Sequence, residues 1–307
     1  MNLLSLISIL LLATLNLHAG EHVESDDIWT AVRKAEALAT KYGPERVLFA
    51  SDLDNTLLKT KQDLGSVPWF NWQDGLLKDQ SSQERIACDV PDLLHYFYMA
   101  ISPSQLSPVQ NDQAKAIRQL QDRGIPTIIV TARGQLVASS TFRELLKNNL
   151  DFSRRGLAGL GFTAPHLPYD VNNPTSSGLT QRDIERFRLG PARATLYQRG
   201  VLFSDGQNKG ILLRTLIHKT RGRTRAIVFF DNDNKNTQRV LDAFDGHDVE
   251  VVAVRASRMD ADIQRFNDSD KRKVTEDFLV LKKLTDRVYS YPRPCQLPID
   301  KLLSAER

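Results

Sequence analysis

An α/β fold with a parallel central sheet is the class this sequence predicts, and three observations predict it. Short apolar runs that read as buried strands alternate with stretches whose apolar residues recur at helical spacing. The runs are nearly continuous in Val, Ile, Leu and Phe, as in strands covered on both faces. The stretches between them supply the crossover helices that parallel neighbours require. The 307 residues suffice for one large domain or one with insertions, and 41% apolar with 25% charged residues leaves room for a sizeable core.

The elements follow in order. The first twenty residues contain no Asp, Glu, Lys or Arg, and Leu6 to Leu15 is an apolar run of signal-peptide length. Leu17-His18-Ala19 offers a small residue for cleavage, so residues 1–19 read as a secretory signal cut near Ala19. That makes the mature chain secreted or periplasmic, without stable membrane insertion. An uncleaved anchor or a buried N-terminal helix are the other readings, since no Lys or Arg precedes the run. Ser25-Asp26-Asp27 caps a helix with Ile28, Val32, Ala35 and Leu38 on one face, and Gly43 stops it. Val47 to Ala50 is the first strand. Residues 59–107 break the alternation with Pro68, Pro91, Pro103 and the cluster Trp69, Phe70, Trp72, and read as a cap-like insertion. The aromatics would line a pocket or, as is commoner, form a small local core.

Asn111 or Asp112 caps the next helix, Pro126 to Val130 is the second strand, and a helix follows to about Asn149. Residues 151–199 are rich in Gly, Pro, Asn and Ser and read as a second insertion, mostly loop with a hairpin near its end. Val201 to Ser204, Ala226 to Phe230 and Val249 to Val254 are the remaining strands, each followed by a helix, the last covering Asp270 to Leu284. The core therefore comprises residues 22–58, 108–150 and 200–290, with 291–307 as a tail.

A formal charge of +4 permits an anionic substrate, and no run of Arg and Lys of the kind that recognises nucleic acid is present. Two cysteines, Cys88 and Cys295, are too few for a Cys-rich zinc site. An oxidising compartment could join them, provided their Cα atoms lie within about 7 Å.

In a parallel sheet the carboxyl ends of the strands share one edge, where ligands bind. Asp52, Thr131 and Asp231 each follow an apolar strand directly, and Lys209 opens the helix after another. Topology alone thus gathers four polar positions on one rim. Taken singly, each has an ordinary explanation as a turn, a strand end or a helix cap. Arg133 and Asn208 neighbour the rim and read equally well as substrate contacts or surface residues.

The string Asp52-Leu53-Asp54-Asn55-Thr56-Leu57 after its strand resembles the first motif of the haloacid dehalogenase superfamily, whose phosphatases carry Asp-x-Asp-x-Thr. Thr131, Lys209 and Asp231 match the second, third and fourth motifs in order. The likeness is greatest to a group of uncharacterised, mostly secreted members with an Asn-Lys-Gly third motif. The resemblance implies a three-layer Rossmann-like core with two insertions and a Mg²⁺ cofactor held by Asp52, the Asp54 carbonyl and Asp231. It makes Asp52 the nucleophile, Asp54 the general acid and base, and Thr131 and Lys209 the phosphate ligands. Asn232 stands where many members have a second acid, so the second contact to the metal could come through Asn232, Asp233 or water. The implied function is an exported Mg²⁺-dependent phosphatase acting on a small phosphorylated substrate through an aspartyl-phosphate. The alternatives are a binding or effector protein on the same scaffold without turnover, and a phosphotransferase.

Overall fold

A computed structural model of the chain describes residues 20–79, 82–157, 164–220 and 223–289, together with 295, 297 and 299. The signal read over residues 1–19 lies outside the described residues, as does most of the 291–307 tail. The strands are β1 Glu21–Ser25, β2 Val47–Ser51, β3 Leu58–Thr60, β4 Leu106–Pro108, β5 Thr127–Thr131, β6 Leu196–Gln198, β7 Val201–Phe203, β8 Ala226–Asp231 and β9 Glu250–Ala256. The helices are α1 Ile28–Tyr42, α2 Val67–Leu76, α3 Val90–Ile101, α4 Gln113–Asp122, α5 Ala138–Lys147, α6 Gln181–Arg186, α7 Lys209–Lys219, α8 Asn234–Phe244, α9 Asp260–Asp268 and α10 Arg272–Val288. No described helix is long and apolar enough to cross a membrane.

Seven strands form one sheet in the order β1-β9-β8-β2-β5-β7-β6, parallel except where β6 pairs with β7. Strand alternation divides the core between its two faces. Val47 and Phe49 of β2 pack on the side of α1 and α4, with Ala31, Val32 and Leu120. Leu48 and Ala50 pack on the side of α7 and α8, with Ile211, Leu212 and Val240. The result is the three-layer, Rossmann-like α/β fold that the alternating runs imply.

Two elements carry no apolar signal. β1 is a charged edge strand, parallel to β9, with no fully buried residue. α9 buries Phe266 alone. The final helix runs Arg272–Val288, two residues later at its start and four at its end than its apolar spacing marks. Asp27 caps α1 through the Trp29 N–H, whereas Asp112 makes no cap bond. The Asp112 carboxylate instead accepts the Trp29 indole N–H at 2.6 Å, a longer-range use that local capping rules do not foresee.

The chain between β3 and β4 leaves and rejoins the core through those two strands, which pair with each other in an antiparallel ribbon. It carries α2 and α3. Its aromatic cluster is not a local core but part of the main one: Trp69 packs on Phe278 of α10 and Trp72 on Phe266 of α9, while Phe70 packs on Phe97 within the segment. A disulfide joins Cys88, before α3, to Cys295, with Cα atoms 5.9 Å apart. It ties this segment to the chain beyond α10.

The segment between α5 and β7 is mostly irregular and ends in the β6–β7 hairpin. Arg199 and Gly200 turn it with φ of 51° and 76°, the left-handed pair that matches strand twist. Thr180 and Asp183 form a capping box on α6, and Asp183 pairs with Arg214 of α7 at 2.9 Å, fastening the segment to the core.

Candidate active site

Register places the strand ends. Ser51 of β2 lies beside Phe230 of β8 and Ile129 of β5. The residue directly after β2, Asp52, therefore stands level with Asp231, and its N–H donates to the Phe230 carbonyl at 2.8 Å. Both acids continue the alternation that faces α7 and α8, following Ala50 and Phe229. Lys209 is the first residue of α7. Its ammonium lies 2.5 Å from Asp52 Oδ1 and 2.8 Å from Asp231 Oδ2. A cation at a helix N-terminus opposes the helix dipole, and here two carboxylates offset it. The capping duty falls to Asn208, whose side chain accepts the Gly210 and Ile211 N–H groups.

All three side chains are withdrawn from water: Lys209 is 2% exposed, Asp52 5% and Asp231 0%. The other Asp231 oxygen accepts the Asp233 N–H at 2.8 Å. The other Asp52 oxygen lies 3.2 Å from the Thr56 hydroxyl, which also accepts the Asn232 N–H and lies 3.1 Å from Asn232 Oδ1. Burial pushes the Asp52 carboxyl up to about 7, with Lys209 pulling against it and Asp231 and Asp54 adding repulsion. Burial likewise raises Asp231. Burial works against the Lys209 ammonium too, but the charges of Asp231 and Asp52 outweigh it and hold Lys209 above its usual range.

Asp54 is built differently. Asn55 follows it with φ of 59°, a left-handed conformation that Asn tolerates better than most residues, and the chain turns there. The turn sends Asp54 away from Lys209 to a cation of its own. Arg133 donates from Nε to Asp54 Oδ2 and from Nη2 to Asp54 Oδ1, both at 2.8 Å. Its third nitrogen, Nη1, donates to the Thr141 hydroxyl at 2.9 Å, so the guanidinium is fixed at both ends.

Thr131 is fully buried at the end of β5. Among the described residues its hydroxyl touches neither Asp52 nor Lys209 and accepts the Arg133 N–H at 3.2 Å. Of the five positions singled out from sequence, Asp52, Lys209 and Asp231 converge directly, Asp54 is held by Arg133 instead, and among the described residues the Thr131 hydroxyl is linked to that pair through the Arg133 N–H. Asp233 is exposed and caps α8 through the Lys235 N–H, which leaves Asn232 as the neighbour nearer to Asp52. Sequence reasoning left Arg133 open and assigned Thr56 nothing. The available signal for Arg133 was its place two residues after a strand-end threonine, where a surface cation is unexpected.

Three carboxylates (Asp52, Asp54, Asp231) face two cations (Arg133, Lys209), leaving one negative charge without a partner in a buried cluster. Such a surplus is costly unless a proton, which the raised Asp52 carboxyl can hold, or a further cation neutralises it. Among the described residues no three His, Cys, Asp or Glu side chains converge as a metal-holding group. A cation here would meet the two carboxylates of Asp52 and Asp231, with main-chain, water and substrate oxygens for the rest. That donor set is hard, all oxygen and sparing in carboxylates, which suits Mg²⁺.

The model of a family described as "Protein of unknown function (DUF2608)" matches residues 24–288, so the chain belongs to that family. No curated protein and no solved structure matches it.

Proposed function

We propose that this member of the DUF2608 family is an exported, Mg²⁺-dependent phosphomonoesterase that acts through an aspartyl-phosphate on Asp52. The observation that carries the reading is the pair of buried carboxylates, Asp52 and Asp231, sharing the single ammonium of Lys209 at 2.5 and 2.8 Å. A buried anionic cluster one positive charge short is suited to a divalent cation and, through it, to a phosphate. Asp52, Asp231 and the Asp54 carbonyl would hold Mg²⁺, which would supply the positive charge that lets a carboxylate approach an anionic phosphate.

The chain's own groups divide the remaining work. An Asp52 oxygen attacks phosphorus as the bond to the leaving alcohol breaks. With Arg133 turned from Asp54 to the phosphate oxygens, the Asp54 carboxylate takes up a proton from solvent and gives it to that alcohol. Asp54 then takes a proton from water as the water oxygen attacks the acyl phosphate, which releases phosphate and restores Asp52. Lys209 balances the charge at Asp52, and Thr131 and Arg133 would donate to the phosphate oxygens. The Cys88–Cys295 bond supports export, because such bonds persist in oxidising compartments.

The test is the rate of hydrolysis of a generic aryl phosphate with Mg²⁺, wild type against Asp52→Asn. The expected loss is roughly 10³-fold or more, as for other catalytic nucleophiles. Equal rates would contradict the mechanism. A scaffold that binds phosphate without turnover is the second reading. It is favoured by the grip of Arg133 on both Asp54 oxygens and by Asn232 in place of an acid. Turnover of any phosphate ester that depends on Asp52 removes it, and product analysis with an added alcohol separates hydrolysis from phosphotransfer.

A further inference from the structure

We infer, on the reading that Asp52 receives a phosphoryl group, that the alcohol half of the substrate is an extended, uncharged apolar body seated between α3 and the loop after β5. A cavity of about 790 Å³ lies there, the size of pockets that enclose a whole small molecule. Leu94, Tyr98 and Met99 of α3 form one wall, and Leu136 and Val137 form the other.

Its floor adjoins the candidate active site through the chain neighbours of Arg133 and the loop before Lys209. Gly134 lines the cavity and directly follows Arg133, which grips Asp54. Asp205 also lines it and opens the loop that ends at Lys209; its N–H donates to the Arg133 carbonyl at 3.2 Å. Tyr98 is seated on this floor, its phenol oxygen lying close against Gly134. A Cβ at Gly134 would lie 2.5 Å from that oxygen and 2.8 Å from Asp205 Oδ1, so glycine permits the close approach of α3.

The lining decides the ligand class. Neither Lys nor Arg lines the cavity, and its one carboxylate, Asp205, is paired with Arg193 at 2.8 Å. A second phosphate would meet only the His95 imidazole and an Arg193 already engaged by Asp205, which disfavours nucleotides and bisphosphates. Leu136 is 80% exposed beside a buried Val137, an apolar side chain in water that a bound apolar ligand would cover.

The test compares octylphosphonate with methylphosphonate, which share a head group and are not hydrolysed. Their dissociation constants are measured by calorimetry on the mature chain with Mg²⁺. At roughly fourfold per fully buried methylene, partial burial is expected to make the octyl ligand bind at least about 30-fold tighter. Leu94→Asp and Leu136→Asp should cut that ratio below about threefold, while Leu146→Asp, exposed on α5, should leave it intact. Equal affinities in the wild type, no binding of either ligand, or a ratio that neither pocket variant moves would each overturn the inference. Hydrolysis of octyl phosphate, tested with Asp52→Asn, reports separately on the phosphatase reading. Tight, variant-sensitive binding without hydrolysis would leave the pocket standing and remove the enzyme.

Discussion

Asp52 and Asp54 stand two residues apart and meet opposite electrostatic solutions. Asp54 has a guanidinium to itself, a bidentate pair with its side chain 16% exposed. Asp52 shares one ammonium with Asp231 in a site closed to water. The first arrangement is balanced and geometrically strong. The second carries a surplus negative charge that burial makes costly. The difference teaches where an incoming cation gains most: beside Asp52 and Asp231, not beside Asp54.

Removing the shared ammonium is the harshest way to break this contrast. Lys209→Met leaves two buried carboxylates without their counter-charge and should destabilise the fold by about 3–5 kcal/mol in denaturant unfolding. A loss as small as that of an exposed lysine would mean that the cluster is not electrostatically coupled. Titration probes the same site more gently. The folded Asp52 carboxyl sits near 7 against an unfolded value of 3.8, so the protonated form favours folding. That stability is fully present below the unfolded value and is lost as pH rises through about 7. Chelator-treated protein should therefore melt at lower temperature at pH 8 than at pH 5. Asp52→Asn should remove up to roughly 2–4 kcal/mol of that difference and be the more stable protein at pH 8. A melting temperature that rises over the same interval would contradict the surplus charge.

The balanced pair should respond less. Arg133→Met frees a carboxylate that already reaches water, and about 1–2 kcal/mol of stability should be lost. A loss equal to that of Lys209→Met would erase the distinction drawn between the two acids. The smallest change sharpens it. Asn232→Asp adds an acid beside Thr56 and should tighten Mg²⁺ roughly tenfold while lowering metal-free stability by about 1 kcal/mol. No change in affinity would place the cation elsewhere.

Much of this was legible because buried parallel strands announce themselves by apolar runs. The runs ending at Ala50, Val130 and Phe230 by themselves bring Asp52, Thr131 and Asp231 to one edge. Strand parity then explains why Asp52 and Asp231 both face Lys209, which needs the register and not the runs alone. What escaped the sequence reading depends on tertiary partners. β1 and α9 are mostly exposed and have no periodic apolar face to betray them. Arg133 read equally as a substrate contact or a surface residue because its partner, Asp54, lies 79 positions away and is reached only through the turn at Asn55. The cavity between α3 and the Gly134 loop draws its walls from segments with no periodicity in common.

Calorimetric titration of the metal-free protein with Mg²⁺ at pH 7, repeated in buffers of different ionisation enthalpy, reads the surplus charge directly. One site is expected, with release of about half a proton as Asp52 ionises, and with binding lost in Asp231→Asn. No binding, or binding that survives Asp231→Asn unchanged and releases no proton, would contradict a cation held between Asp52 and Asp231.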